Sequence, residues 1–270
     1  DLGNDFFALM LDNTMMYSSA IFAYPEMSLY EAQVFRLNRI CAKLDLKPTD
    51  HLLEIGTGWG GLAIHAAKYY GCKVTTTTIS HEQYEFARAR VRAAGLEDRI
   101  TLLLEDYRDL SGQYDKLVSI EMIEAVGHQY YDTYFAKCSS LLKSDGLMLL
   151  QAITISDQRY EQAKQSVDFI QRYIFPGSCI PSNTAMLRSI TRHSDMRLVD
   201  LQDIGPHYAT TLRKWRENVV QNIDAIRALG YSRQFLRMWE FYLCYCEGGF
   251  AERAISDVHM PVSYTHLTLP

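Results

Sequence analysis

The stretch HLLEIGTGWGGLAIHAAKYY, residues 51–70, limits the fold more than any other part of the chain. An apolar run halts at a cluster of glycines and restarts at helical spacing, which is how a parallel strand turns tightly into a helix. Onward from there, β-like runs alternate with helical ones: HLLEI, KVTTTT from Lys73, ITLLLE from Ile100, YDKLVSI from Tyr114 and LMLLQAI from Leu147. Helices over 61–70, 81–94 and 129–142 separate them. This alternation predicts an α/β, Rossmann-like fold, a mainly parallel sheet with helices on both faces. Ahead of it, Ser28 and Glu31 form a capping box for a helix running to Leu44. After the fifth strand comes a helical insertion, about 157–193, interrupted by FPGSCIPS. The run MRLVDLQDI then resumes the sheet, and two amphipathic helices follow over 210–229 and 232–248. No repeat or Pro/Gly/Ser-rich linker divides the chain, so a single domain over 1–260 is expected, with 1–50 as its N-terminal helical segment.

Composition sets the outer bounds. With 48% hydrophobic and 22% charged residues in 270, the content is that of a globular protein with one core. No apolar run reaches roughly 18 residues, and the one nearest the start is broken by Asp12, Asn13 and Thr14, so neither a membrane span nor a signal sequence is expected. Six cysteines without a CxxC pair suit a reducing cytoplasm. The eight histidines show no HxxxH spacing, so no metal is expected. A net charge of -5 argues against nucleic-acid binding. Arg213, Lys214 and Arg216 form a local basic cluster, a candidate contact for anionic lipid but more simply a solvated helix face. Asp1 is not an initiator methionine, so a preceding segment is expected. The final PVSYTHLTLP, 261–270, follows DVHM without periodicity or cap and reads as a non-native tail.

Gly56, Gly58 and Gly61 satisfy G-x-G-x-x-G by count, which raises a dinucleotide site first. Such a site needs an acidic residue about 20 positions on for the ribose hydroxyls, and the second strand ends TTTTIS, with only Thr and Ser. The distinctive carboxylate is Glu54 instead, two residues before the first glycine, at the end of the strand where open α/β sheets bind ligands. An acid there suits a cationic ligand with an amino-acid portion. S-adenosylmethionine carries an ammonium, a sulfonium and no phosphate.

EIGTGWGGLA resembles the motif (L/D)-(D/E)-x-G-C-G-W-G of the cyclopropane-fatty-acyl-phospholipid synthases and mycolic acid cyclopropane synthases. The likeness continues through MMYSSAIF (15–22), TISHEQYEFA (78–87), EDYRDL (105–110), IEAVGHQYYDTYF (123–135), YIFPGSCIPS (173–182) and HYATTLRKW (207–215). It implies a seven-stranded methyltransferase fold with the insertion lying over the active site. It also implies S-adenosylmethionine as cofactor and, as substrate, an unsaturated acyl chain of a phospholipid, converted to a cyclopropane. A cytoplasmic protein in transient peripheral contact with the inner face of the membrane follows, and a homodimer is compatible with it. By the same resemblance the cofactor touches Tyr17 and Ser18, then Glu54, Gly56, Gly58 and Gly60 in the glycine loop, then Thr78, Ser80 and Gln83, with Tyr107 beside the adenine. Hydroxyls and an amide bond ribose or carboxylate without adding charge, and a Tyr face stacks on a base. Read alone, Ser80 equally well caps the next helix.

An alkene is a poor nucleophile, so methyl transfer needs a sulfonium held in line with it in a dry pocket. A cation is left on the acyl chain, and a proton must leave the new methyl group for the ring to close. The family uses bicarbonate for this, held by a glutamate, a histidine, a tyrosine and backbone groups near a cysteine. Glu124 matches the glutamate, Tyr208 the tyrosine, and Ile153 supplies backbone. Two positions depart: Ser19 stands for the cysteine and Gln151 for the histidine. Glutamine donates through its amide but carries no proton near neutrality. A displaced base would send the cation to a methyl- or methylene-branched product instead, and loss of catalysis would leave a lipid-binding protein. Glu121 reads as ordinary surface or as support. Phe169, Tyr173 and Phe175 of the insertion, with Trp239, Phe241, Tyr242 and Tyr245 of the last helix, mark either an acyl groove or plain core.

Overall fold

The computed structural model describes residues 3–264. Two helices, α1 (Asn4–Met10) and α2 (Leu29–Lys43), precede the sheet. Helix α2 begins at the capping box: the Ser28 hydroxyl accepts from the Glu31 backbone N–H, and the Glu31 carboxylate accepts from that of Ser28, a cap worth about 0.5–2 kcal/mol. There follow β1 (His51–Ile55), α3 (Gly61–His65, continued by a π turn to Tyr70), β2 (Lys73–Thr78), α4 (His81–Ala93), β3 (Ile100–Leu104), β4 (Tyr114–Ile120), α5 (Tyr131–Leu141) and β5 (Leu142–Ile155). The insertion is α6 (Asp157–Ala163), α7 (Phe169–Tyr173) and α8 (Asn183–His193). Then come β6 (Arg197–Leu198), β7 (Gln202–Asp203), α9 (Gly205–Gln221), α10 (Ile223–Ala228), α11 (Arg233–Ala251) and β8 (Ile255–Ser263).

Across the sheet the order is β3-β2-β1-β4-β5-β8-β6, with β7 also on β8. Strands β3 to β5 are parallel, while β8 runs antiparallel to β5, β6 and β7. Because β6 pairs with Val262 and Ser263, and β7 with Val258 and His259, the two short strands share one position beside β8. Strand β1 lies between β2 and β4, so the chain crosses in opposite directions on its two sides, which opens a crevice at the strands' carboxyl ends.

Successive side chains of a strand point to opposite faces, and both faces here are covered. Leu53, Ile55, Leu117, Met148 and Leu150 pack with Phe135, Leu141 and Ile190 of α5 and α8. Their neighbours Leu52, Val118, Leu147 and Leu149 pack with Leu37, Ile40 and Leu62 of α2 and α3. A third cluster joins α1, α9 and α11 to Trp59 of the glycine turn.

Strand β8 corrects the reading of the C-terminal tail. Pro261, Val262 and Ser263 belong to it, and Val262 and Ser263 are buried; residues 265–270 lie outside the described residues. Val258, Met260 and Val262 alternate into the core, but Asp257 and His259 on the other face are buried too, which hides the pattern. Pro261 is tolerated because its carbonyl accepts from Val199, so its nitrogen faces the same way, into the gap between β6 and β7. The run MRLVDLQDI yields only four strand residues, and the helix expected over 210–229 begins at Gly205 and breaks at Asn222.

Candidate active site

The glycine turn is pinned from below and open above. Backbone N–H groups of Gly56 and Thr57 both donate to the Thr77 carbonyl, at 3.1 and 3.0 Å. Gly58 has φ 52, and a Cβ built on it would meet nothing within 4 Å, so its outer side faces free space. Gly61 is needed for a different reason: a Cβ there would lie 2.5 Å from the Thr14 carbonyl and 2.6 Å from the Met16 sulfur. That close approach seats the 14–19 segment on the start of α3. Gly60 enters α3 in the left-handed conformation.

Glu54 braces this turn rather than lining its open side. It is 2% exposed, accepts the Thr76 hydroxyl at 2.6 Å, and Thr76 in turn meets the Thr57 hydroxyl at 2.7 Å. Burial pushes its carboxyl up to about 8. The folded state therefore favours the protonated acid, and this group's contribution to stability is lost as pH climbs from about 4.5 to about 8. Glu54→Gln keeps a carbonyl for Thr76. It is expected to be more stable than the parent at pH 8, by on the order of 2–4 kcal/mol as an upper bound, with the two converging near pH 5. Denaturant midpoints at the two pH values measure this, and equal midpoints at pH 8 refute it.

On the next wall, Thr78 donates its hydroxyl to the Gln83 side-chain carbonyl at 3.0 Å, turning the amide nitrogen the other way. Ser80 is the N-cap of α4, its hydroxyl accepting from Gln83 N–H. Tyr107, half-buried after β3, stands edge-on to Tyr134 at 5.5 Å. Tyr17 shares a hydrogen bond with Tyr242 at 2.9 Å, and its ring packs on Trp215. The Ser18 hydroxyl is buried with no partner.

A second group of polar residues gathers past the end of β4, next to the turn: a Cβ on Gly56 would sit 3.6 Å from Met122. Its centre is Glu121. One carboxylate oxygen accepts the Ser19 backbone N–H and the Gln151 amide, each at 2.8 Å, and the other accepts the Tyr208 hydroxyl at 2.6 Å. Gln151 is satisfied on both sides. Its carbonyl accepts from Arg36 at 3.0 Å and meets His259 at 3.1 Å, while its nitrogen also reaches Asp257 at 2.8 Å. Arg36 is fully buried and bound to Gln33 as well. Glu124 accepts the Ile153 N–H at 2.6 Å through one oxygen and has no partner for the other.

These carboxyls divide the charge. Burial raises all three, but Tyr208 and Ser19 favour the ionised form of Glu121. Asp257, buried and facing Glu121, is driven well up. Burial and the neighbouring Glu121 push Glu124 up to about 8. Glu121 is the carboxyl with the most donors favouring its ionised form, and it has the Arg36 charge nearby, while burial and the like-charged Glu121 push Glu124 and Asp257 towards their protonated forms.

Residues 1–260 match the family described as mycolic acid cyclopropane synthetase. The chain belongs to this family. It is 44% identical over 257 residues to the tuberculostearic acid methyltransferase UfaA1 of Mycobacterium tuberculosis, covering 93% of this chain and 60% of that protein. It is 43% identical over 256 residues to the cyclopropane-fatty-acyl-phospholipid synthase of Escherichia coli K12, covering 94% and 64%. The chain thus spans about three fifths of the length of these curated relatives. A solved structure of the mycolic acid cyclopropane synthase CmaA1 complexed with SAH and CTAB superposes with a TM-score of 0.90 at 30% identity, covering 97% of this chain and 94% of that one. The fold is that of the S-adenosylmethionine-dependent methyltransferases.

In this cyclopropane synthetase family member the five residues named for catalysis come together, with Ser19 and Ile153 acting through their backbones; the Ser19 hydroxyl donates to its neighbour Ala20. Of the two readings of Glu121, ordinary surface is corrected and support of the site is the one the contacts match: three of the five donate to it. Sequence reading also missed Arg36, Gln33, Asp257 and His259. A signal existed for the first two, since Gln33 and Arg36 lie on the buried stripe of α2 with Leu29, Ala32, Leu37 and Ile40. The aromatic set splits. Trp239 and Tyr242 are buried, whereas Tyr173, Phe175, Phe241 and Tyr245 are largely exposed where α7 meets α11. Arg213 and Arg216 both pair with Glu247, and Lys214 with Glu217, so the basic cluster is neutralised locally. Among the described residues no helix is long and apolar enough to cross a membrane, and no group of three or more His, Cys, Asp or Glu is placed to hold a metal.

Proposed function

We propose that the chain transfers a methyl group from S-adenosylmethionine to the double bond of an unsaturated phospholipid acyl chain and closes it to a cyclopropane. The observation that carries this reading is the carboxyl pair of half-buried Glu121 and buried Glu124, set beside the open glycine turn. The residues present fit the cofactor: a buried Ser18 hydroxyl lacks a partner, Gly58 faces open space, and the Gln83 amide is held in one orientation. Gly56, Gly58 and Gly60 would admit it, with Tyr17, Ser18, Thr78 and Gln83 bonding its polar parts and Tyr107 beside its base. Ser80 serves there as the helix cap that positions Gln83, and Glu54 as the brace of the turn. When bound, S-adenosylmethionine supplies an electrophilic methyl.

The remaining chemistry falls to the chain's own groups. The aromatic side chains between α7 and α11 offer apolar surface to an acyl chain, which would displace water from them, and ring faces to a passing cation. Their exposed edges support entry of the acyl chain from a membrane surface at the inner face, in transient contact. Glu124, neutral at pH 7, offers a hydroxyl from its unpartnered oxygen to the reacting region. Glu124→Gln keeps the acceptor for Ile153 and an N–H donor on the other side. It should leave cofactor affinity unchanged and lower kcat about tenfold, the loss of roughly 1.4 kcal/mol. Turnover that uses protonated Glu124 declines as pH rises through about 8; in the Gln variant that alkaline decline should vanish. A parent-like pH profile in the variant removes Glu124 from the reaction.

The overall test is incubation with unsaturated phospholipid vesicles and methyl-labelled donor, followed by mass spectrometry and NMR of the released acyl chains. A ring and a methylene branch share a mass, so NMR decides. A branched product is the second reading, favoured by Gln151 in the histidine position. Absence of any label in the acyl chains sinks both.

A further inference from the structure

We infer that Glu121 is the catalytic base, its carboxylate standing where the resemblance places bicarbonate and accepting the proton whose loss ends the reaction; this rests on the alkene methylation proposed above. Three of the groups that would hold the bicarbonate already hold a protein carboxylate. The Ser19 N–H and Gln151 amide bind one oxygen of Glu121 and the Tyr208 hydroxyl binds the other. The remaining two, Ile153 N–H and Glu124, bind each other, Glu124 keeping one oxygen without a partner. Bicarbonate and a carboxylate share a planar O–C–O unit, so one satisfies the cradle as the other would, and both cannot. A second anion would also face Glu121 across a short gap with Arg36, the one buried Lys or Arg among the described residues, behind it. The residues present therefore do not fit bicarbonate.

Geometry also equips Glu121 for proton removal. A carboxylate has about four lone-pair sites; Ser19 and Gln151 fill those of one oxygen, and Tyr208 leaves one vacant on the other. The residue as a whole is half-buried, at the edge of the group of polar side chains. Its backbone sits at φ 47, a conformation that costs a side-chain-bearing residue free energy and is retained here where β4 ends, with Glu121 N–H on the Gln151 carbonyl at 2.8 Å. In the step, the alkene pair forms a bond to the methyl carbon, and the carbon–sulfur pair stays on sulfur. The other olefinic carbon is left positive. Glu121 takes a proton from the new methyl, the freed C–H pair closes the ring, and the protonated acid returns its proton to water after product leaves. Gln151 then has a reason to replace histidine: it fixes the base without competing for the proton.

The test uses the whole chain, ¹³C-labelled bicarbonate and two variants. Glu121→Gly suits the left-handed backbone and vacates the cradle; Glu121→Gln fills it without a base. Labelled bicarbonate followed by NMR should show no binding to the parent or to Glu121→Gln, and saturable binding to Glu121→Gly. In bicarbonate-free buffer the parent should keep its full rate, and both variants should lose on the order of 10²-fold in kcat, with affinity for S-adenosylhomocysteine unchanged. Added bicarbonate should restore at least about tenfold of that loss in Glu121→Gly alone, a partial recovery of the general-base contribution. Saturable binding of bicarbonate by the parent overturns the proposal, as does a parent rate that depends on it or a Glu121→Gln rate equal to the parent's. Should no acyl chain be methylated, the substrate reading fails, yet the binding pattern alone still decides whether Glu121 holds the anion position. If neither variant folds, the parent's own response to bicarbonate decides.

Discussion

Gly58→Val is expected to abolish measurable binding of S-adenosylhomocysteine while leaving a folded protein. The glycine's outer side faces open space in the turn, so valine's branches meet no protein atom and project instead into the volume a ligand would fill. The backbone adds a second term. At φ 52 a β-branched residue is strongly disfavoured, at a cost of about 1–3 kcal/mol. That strain lowers the melting temperature by a few degrees, on the scale of about 2–4 °C per kcal/mol for a chain near this size. The blocked contact does more: a loss of roughly 100-fold or greater in affinity, about 2.7 kcal/mol, is expected by calorimetry. Gly58→Ala separates the two effects, since it carries much of the strain and little of the bulk. Unaltered affinity in the valine variant would mean that the ligand lies elsewhere.

Arg36→Met is expected to be the most destabilising single change in the site. The guanidinium is fully buried, donates twice to Gln33 at 3.1 and 2.8 Å and once to Gln151 at 3.0 Å, and supplies the positive charge facing Glu121. Methionine fills much of the volume but leaves two amide carbonyls without those donors and a buried anion uncompensated. Removing one partner of such a buried arrangement costs about 3–5 kcal/mol. The sign with pH follows from the charge. Without Arg36, Glu121 binds its proton more tightly in the folded state, so the deficit against the parent should widen as pH rises and narrow in acid. Urea midpoints across pH 5 to 9 test this; a deficit independent of pH would show that Glu121 is neutral in the parent as well.

Much of the framework was legible along the chain because it depends on local chemistry. Ser28 and Glu31 cap α2 through bonds three residues apart, and Ser80 caps α4 in the same way. Of the five parallel-sheet runs, HLLEI and LMLLQAI stood out most because both faces of those central strands are covered and they are mostly apolar, whereas KVTTTT stood out by its β-branched residues. β8 escaped notice for the opposite reason: two of its buried residues, Asp257 and His259, are polar, and their burial is compensated by Gln151, which lies more than a hundred positions away. Tyr208 and Gln151 were legible as site residues only through the family motifs. Glu121 was left between surface and support, since an isolated glutamate after a strand resembles any surface acid until its partners at positions 19, 151 and 208 are in view.

Residue order alone therefore determined the strand–glycine turn–helix unit and the alternation that builds the sheet, because each is set by neighbours within a few positions, whereas the ligand was legible through the family motifs. Tertiary structure decided how far each carboxyl is held from its ordinary behaviour. Glu54, Glu121, Glu124 and Asp257 are the same kind of acid in the unfolded chain, and only burial together with the number of converging donors and the distance to Arg36 sets them apart.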